Sequence, residues 1–87
     1  MQSNIHLMKP KRLWEWREYK RGSLIENGIA LNEIGTFIWK HCDGKTTVDS
    51  IINAVCRTYD VQESRAKRDV TKLIQLLIDE HSLQSTL

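Results

Sequence analysis

The pattern of apolar and polar positions divides the chain at Asn32. Before it, residues 13–19 (LWEWREY) alternate, with Trp14, Trp16 and Glu18 on one face and Leu13, Glu15, Arg17 and Tyr19 on the other. That is the period of a strand, read here with its tryptophans inward. Lys20-Arg21-Gly22 supplies a turn and residues 23–26 a second strand. Asn27-Gly28 is a strong hairpin signal, because a type I′ turn needs positive φ at both central residues. The short apolar run Ile29-Ala30-Leu31 then returns as a third strand.

After Asn32 the spacing becomes helical. Asn32 offers a side-chain oxygen to the free N–H groups that open a helix, and Glu33 suits the positive end of its dipole. Ile34, Phe37, Ile38 and Cys42 give this first helix, 33–43, its apolar stripe, and Asp43-Gly44 ends it. Thr46 or Thr47 opens a second helix, with Asp49 or Ser50 three residues on and Val48, Ile51, Ile52, Val55, Cys56 and Tyr59 along one face. A third, 63–80, carries Ala66, Val70, Leu73, Ile74 and Leu77. Leu76 and Ile78 fall at opposite edges of that stripe, so at least one should look into a groove. Three antiparallel strands followed by three helices make one α+β domain over residues 13–83. The two helices after Gly44 make it winged-helix-like. Residues 1–12 are expected as a mobile lead-in and 84–87 as a frayed end.

Composition narrows the function. A chain of 87 residues, 40% hydrophobic and 28% charged, has room for one small globular domain. No apolar run approaches a membrane span and the N-terminus lacks a signal-peptide core, so a cytoplasmic location is expected. A net charge of +2 permits an acidic partner without requiring one. Cys42 and Cys56 each lie on a helix stripe and read as buried, inert thiols. His6, His41 and His81 share no helical ligand spacing, so no metal site is expected. The glycines are scattered at turns rather than gathered into a phosphate loop, and no nucleophile sits on a sharp turn. The expectation is a protein with no catalytic residues and no cofactor.

Two features could carry function. An edge strand at Ile29, Ala30 and Leu31 would offer unpaired backbone groups to a peptide adding as a further strand, unless a loop or a second subunit covers it. The flank of the third helix formed by Arg65, Arg68, Asp69, Lys72 and Leu76 reads either as a solvated charged face or as the wall of a groove. In the second case Leu76 is an apolar anchor and the cations suit an acidic peptide.

Residues 24–83 resemble the PqqD-like family in three successive stretches, ALNEIGTFIWKHCDG, TTVDSIINAVCRTYDV and RDVTKLIQLLIDEHSL. The resemblance implies a winged-helix-like fold and a recognition element for ribosomally made, post-translationally modified peptides. Proteins similar to this one take the leader of a precursor peptide as an extra strand and present it to a modifying enzyme. That enzyme is often a radical S-adenosylmethionine enzyme, or a leader peptidase in lasso-peptide pathways. Carried onto this chain, the docking edge is Ile29-Ala30-Leu31 and the wall lies near Asp69, Lys72 and Leu76. The chain departs from the pattern at Glu80-His81-Ser82, where relatives usually end the last helix with glycine, and in its tryptophan-rich first strand. The expected function is a stand-alone peptide chaperone. The alternative is a winged helix-turn-helix DNA-binding protein, for which the second helix offers only Asn53 and Arg57, and the hairpin tip no cation.

Overall fold

The computed structural model describes residues 5–85. In chain order it holds a 3-10 turn (Ile5–Leu7), β1 (Lys11–Arg12), β2 (Trp16–Tyr19), β3 (Gly22–Ile25), β4 (Ala30–Leu31), α1 (Glu33–Lys40), α2 (Val48–Tyr59), α3 (Glu63–Asp79) and β5 (Leu83–Gln84). β2, β3 and β4 form an antiparallel sheet in that order, and the three helices complete the expected α+β fold.

The β3–β4 connection differs from the expected type I′ turn. Ile25 O accepts from Gly28 N–H at 2.9 Å, and Ile25 N–H donates to Ile29 O at 2.8 Å. Gly28 has φ +103°, but Asn27 is not among the residues with positive φ. This is the three-residue loop Glu26-Asn27-Gly28, in which a glycine bulge follows the turn. The reason lies in side-chain faces. A two-residue loop would set Ile25 opposite Ala30 and Leu24 opposite Leu31, sending one core residue to solvent. The extra residue pairs Leu24 with Ala30 and Ser23 with Leu31, so Ser23, Ile25 and Leu31 share the buried face.

The helix starts follow from their caps. Asn32 Oδ1 accepts from Gly35 N–H at 2.8 Å, and Thr47 Oγ1 accepts from Ser50 N–H at 3.1 Å. The stripe on α1 is rotated from the expected one. Its buried residues are Gly35, Thr36, Ile38 and Trp39, while Ile34 is exposed and Phe37 half-buried. Trp39 is fully buried and meets Trp16 edge-on at 6.5 Å between ring centroids. The sheet accounts for the rotation: α1 packs on β3, where Thr36 and Ser23 hydroxyls meet at 2.7 Å, as well as on α2. Of the inward tryptophans, Trp16 is half-buried and Trp14 exposed, lying before β2.

The ends of the domain are built together. Of the segment expected as a mobile lead-in, residues 5–12 lie packed along the domain, and residues 1–4 lie outside the described part. Met8 joins the core and Pro10 is buried. Met8 O accepts from Val48 N–H at 2.9 Å, Pro10 O from Gly44 N–H at 2.8 Å, and Arg12 N–H donates to Cys42 O at 3.1 Å. The signal was an alternation, with Met8 and Pro10 inward and Lys9 and Lys11 outward. β1 pairs with β5, which extends the body through Gln84; residues 86–87 lie outside the described part.

α3 ends in a complete Schellman motif without glycine. His81 stands at φ +60°, its N–H donates to Ile78 O at 3.0 Å, and Ser82 N–H donates to Leu77 O at 2.8 Å. This corner gathers three other segments. Trp14 Nε1 donates to His81 O at 3.0 Å, Leu13 N–H donates to Ser82 O at 3.0 Å, and Asn27 Nδ2 donates to Ser82 Oγ at 2.7 Å.

Candidate peptide-binding edge

β4 lies at the end of the sheet, paired on one side only. Which backbone groups face outward follows from the register. In an antiparallel pair, hydrogen-bonded and non-hydrogen-bonded positions alternate. Ile25 donates to Ile29, so the next pair, Leu24 and Ala30, is non-hydrogen-bonded and the one after it, Ser23 and Leu31, is bonded. The N–H and C=O of Ala30 therefore point away from β3. No described residue hydrogen-bonds to either group. The Ala30 side chain is exposed, whereas Leu31 is buried and Ile29 packs against the core. Of the three residues expected to form the docking edge, Ala30 presents backbone and side chain to solvent, and its neighbours anchor it.

The bond between Asn27 and Ser82 holds the tip of the β3–β4 hairpin beside the C-terminal end of α3. On α3, Asp69, Lys72 and Leu76 come together around one depression of about 550 Å³, completed by Leu73, Gln75 and Asp79. Leu76 is 50% exposed, and Ile78 is half-buried against the core. Helical spacing from Leu76 points to Asp79, whereas Leu73 lies on the core stripe and lines the depression only with its half-buried flank. Arg65 and Arg68 do not line the depression. Both are exposed and flank Asp69, with Nε atoms 3.8 and 4.0 Å from its carboxylate. At that distance and exposure such pairs contribute little stability, and both guanidiniums stay available to a ligand. No residue of β4 lines the depression.

Other chemistry is sparse. Among the described residues no three His, Cys, Asp or Glu side chains gather to hold a metal, and no helix is long and apolar enough to cross a membrane. Cys42 is buried, donates to Ile38 O at 3.3 Å, and has its pKa pushed up to about 12 by burial, against the lowering effect of Arg12. Its thiol is thus no nucleophile at neutral pH. Cys56 is half-buried and also a free thiol. Asp43 has its pKa lowered, first by the backbone hydrogen bond from Lys45, so it holds the loop before α2 as a carboxylate. The exposed residues of α2 include Asp49, Asn53 and Arg57, and the hairpin tip carries Glu26, a poor set for phosphates.

No curated protein and no solved structure matches the chain. Residues 7–83 match one family, described as coenzyme PQQ synthesis protein D, PqqD. The match takes in residues 7–12, the segment folded along the loop before α2, as well as the three stretches read from the sequence. The chain belongs to the PqqD family, the non-catalytic, peptide-binding accessory proteins of coenzyme PQQ and related peptide-modification pathways.

Proposed function

We propose that this protein captures the leader of a ribosomally made precursor peptide as an added strand on β4 and hands it to the pathway's modifying enzyme. The observation that carries this reading is the outward-facing, unpaired backbone of the exposed Ala30, on a sheet edge with which no further strand pairs among the described residues. Backbone pairing supplies affinity with little dependence on sequence, and side-chain pockets supply selectivity. Leu76 in its depression takes an apolar side chain of the leader, and Lys72, Arg65 and Arg68 favour acidic neighbours. The enzyme class that the family resemblance implies, a radical S-adenosylmethionine enzyme or a leader peptidase, belongs to the same proposal, as does a cytoplasmic setting.

Titration with the cognate leader, followed through backbone amide signals, tests it. Shifts should concentrate at Ile29, Ala30 and Leu31 and along Asp69, Lys72 and Leu76. Shifts confined to α2 would exclude strand addition.

A further inference from the structure

A larger cleft, of about 730 Å³, opens at the far end of the hairpins from Asn27. One side is the β2–β3 turn, with Tyr19, Lys20 and Arg21; the other is α1, with Phe37 and His41, closed by Tyr59 from the end of α2. It shares no residue with β4 or with the depression on α3.

Its floor is preformed. Phe37 meets Tyr59 edge-on at 5.3 Å and His41 at 4.5 Å between centroids, and His41 Nδ1 lies 2.8 Å from Phe37 O. These rings are half-buried, and Tyr19 beside them is 54% exposed. Aromatic side chains at the rim of a rigid recess are the composition of protein-binding hot spots, because they bury large area at small entropic cost. The charge around the floor is unbalanced. Glu18 and Lys40 satisfy each other at 3.1 Å, and Glu33 faces the N-terminal dipole of its own helix. Lys20 and Arg21 at the turn have no ionic partner among the described residues.

We infer that this cleft is a second docking surface, which takes an acidic segment of the modifying enzyme carrying an apolar anchor. The inference rests on the proposed function, since handing over a peptide requires that peptide and enzyme be held at once on separate surfaces. The anchor enters between Tyr19 and the Phe37–Tyr59 floor, and carboxylates beside it pair with Lys20 and Arg21. Complementary charge at such a rim speeds encounter and selects partner more than it adds affinity, so its removal should show in the association rate and in salt dependence.

The test uses the full chain, the pathway's purified modifying enzyme and the leader peptide as separate probes. Lys20→Glu with Arg21→Glu reverses both turn charges at exposed positions, and Tyr19→Ser removes an exposed ring. Each variant should weaken binding to the enzyme by about tenfold or more and leave leader affinity as in the wild type. Enzyme binding unchanged in both variants, or absent from the wild type, overturns the inference. So does a wild-type dimer in sedimentation that the charge reversal dissociates, which would assign the cleft to a second copy of this chain. Weakened leader binding in the variants would also overturn it, by making the cleft part of the peptide site. If the enzyme binds through the turn but the leader does not bind at all, the proposed function fails and the docking surface stands.

Discussion

The three-stranded sheet has two edges, and they are not alike. Along β2, Glu26 N–H donates to Glu15 O, so by alternation the backbones of Trp16 and Glu18 face outward. Charged side chains flank that edge. Glu18 pairs with Lys40, Arg17 is exposed, and the Arg12 guanidinium lies 6.0 Å from the centre of the Trp16 ring while its Nη1 donates to the carbonyls of Trp39 and Lys40. Charges along an edge strand discourage another chain from pairing there. β4 carries no charge. Its one exposed side chain is alanine, and α3 ends close to its hairpin. An uncharged, unpaired edge is a hazard unless it is used, and this difference is what favours β4 as the proposed docking strand.

The sharpest way to break the comparison is proline, which removes a single N–H. Ala30→Pro deletes an outward N–H, so the hairpin should survive by circular dichroism while leader affinity falls by about thirtyfold or more, on the order of 2 kcal/mol for a lost bond and an unpaired acceptor on the peptide. Glu18→Pro deletes an outward N–H on the other edge and should leave leader binding unchanged. Equal losses from both substitutions would mean that the two edges are not distinguished.

Gly22→Ala tests the support beneath β4. An added Cβ would stand 2.5 Å from Leu31 O, a backbone atom that cannot turn aside. Urea unfolding should show a loss of about 1–3 kcal/mol, as overpacking does. Leader affinity should fall with it, because the displaced residue adjoins Ala30. A fully stable variant would show that β4 has room to move.

His81→Gly works in the opposite direction. His81 holds a left-handed conformation that costs an L-residue roughly 1–2 kcal/mol, so glycine should raise stability by about 1 kcal/mol. The carbonyl that holds Trp14 is kept, so leader binding should not change. A lower melting temperature would show that the imidazole itself contributes.

The smallest effect belongs to charge. Lys72→Glu should weaken an acidic leader by ~1 kcal/mol or less, more at low salt than at high. A loss larger than that of Ala30→Pro would mean that charge rather than strand pairing holds the peptide.

Much of the fold was legible in the sequence because it is local. Asn32 and Thr47 cap the helices they precede, Gly28 takes the positive φ it was suited for, and the helical stripes of α2 and α3 face the core, with Cys56, Tyr59 and Leu73 half-buried at its margin. These depend on neighbours within a turn or two, and chain spacing reports them directly. What only the tertiary structure decided involves partners far apart in the chain. The sheet and α2 together rotated the buried face of α1 onto Trp39. The pairing of core faces across β3 and β4 chose a bulged loop over a type I′ turn. The loop before α2 and the corner at His81-Ser82 ordered residues 8–14, whose two-residue period is too short to stand out alone. The candidate edge itself is of this kind: Ala30 could be named from the sequence, but the direction of its N–H depends on register and its open side on sheet order, and neither is a property of three residues.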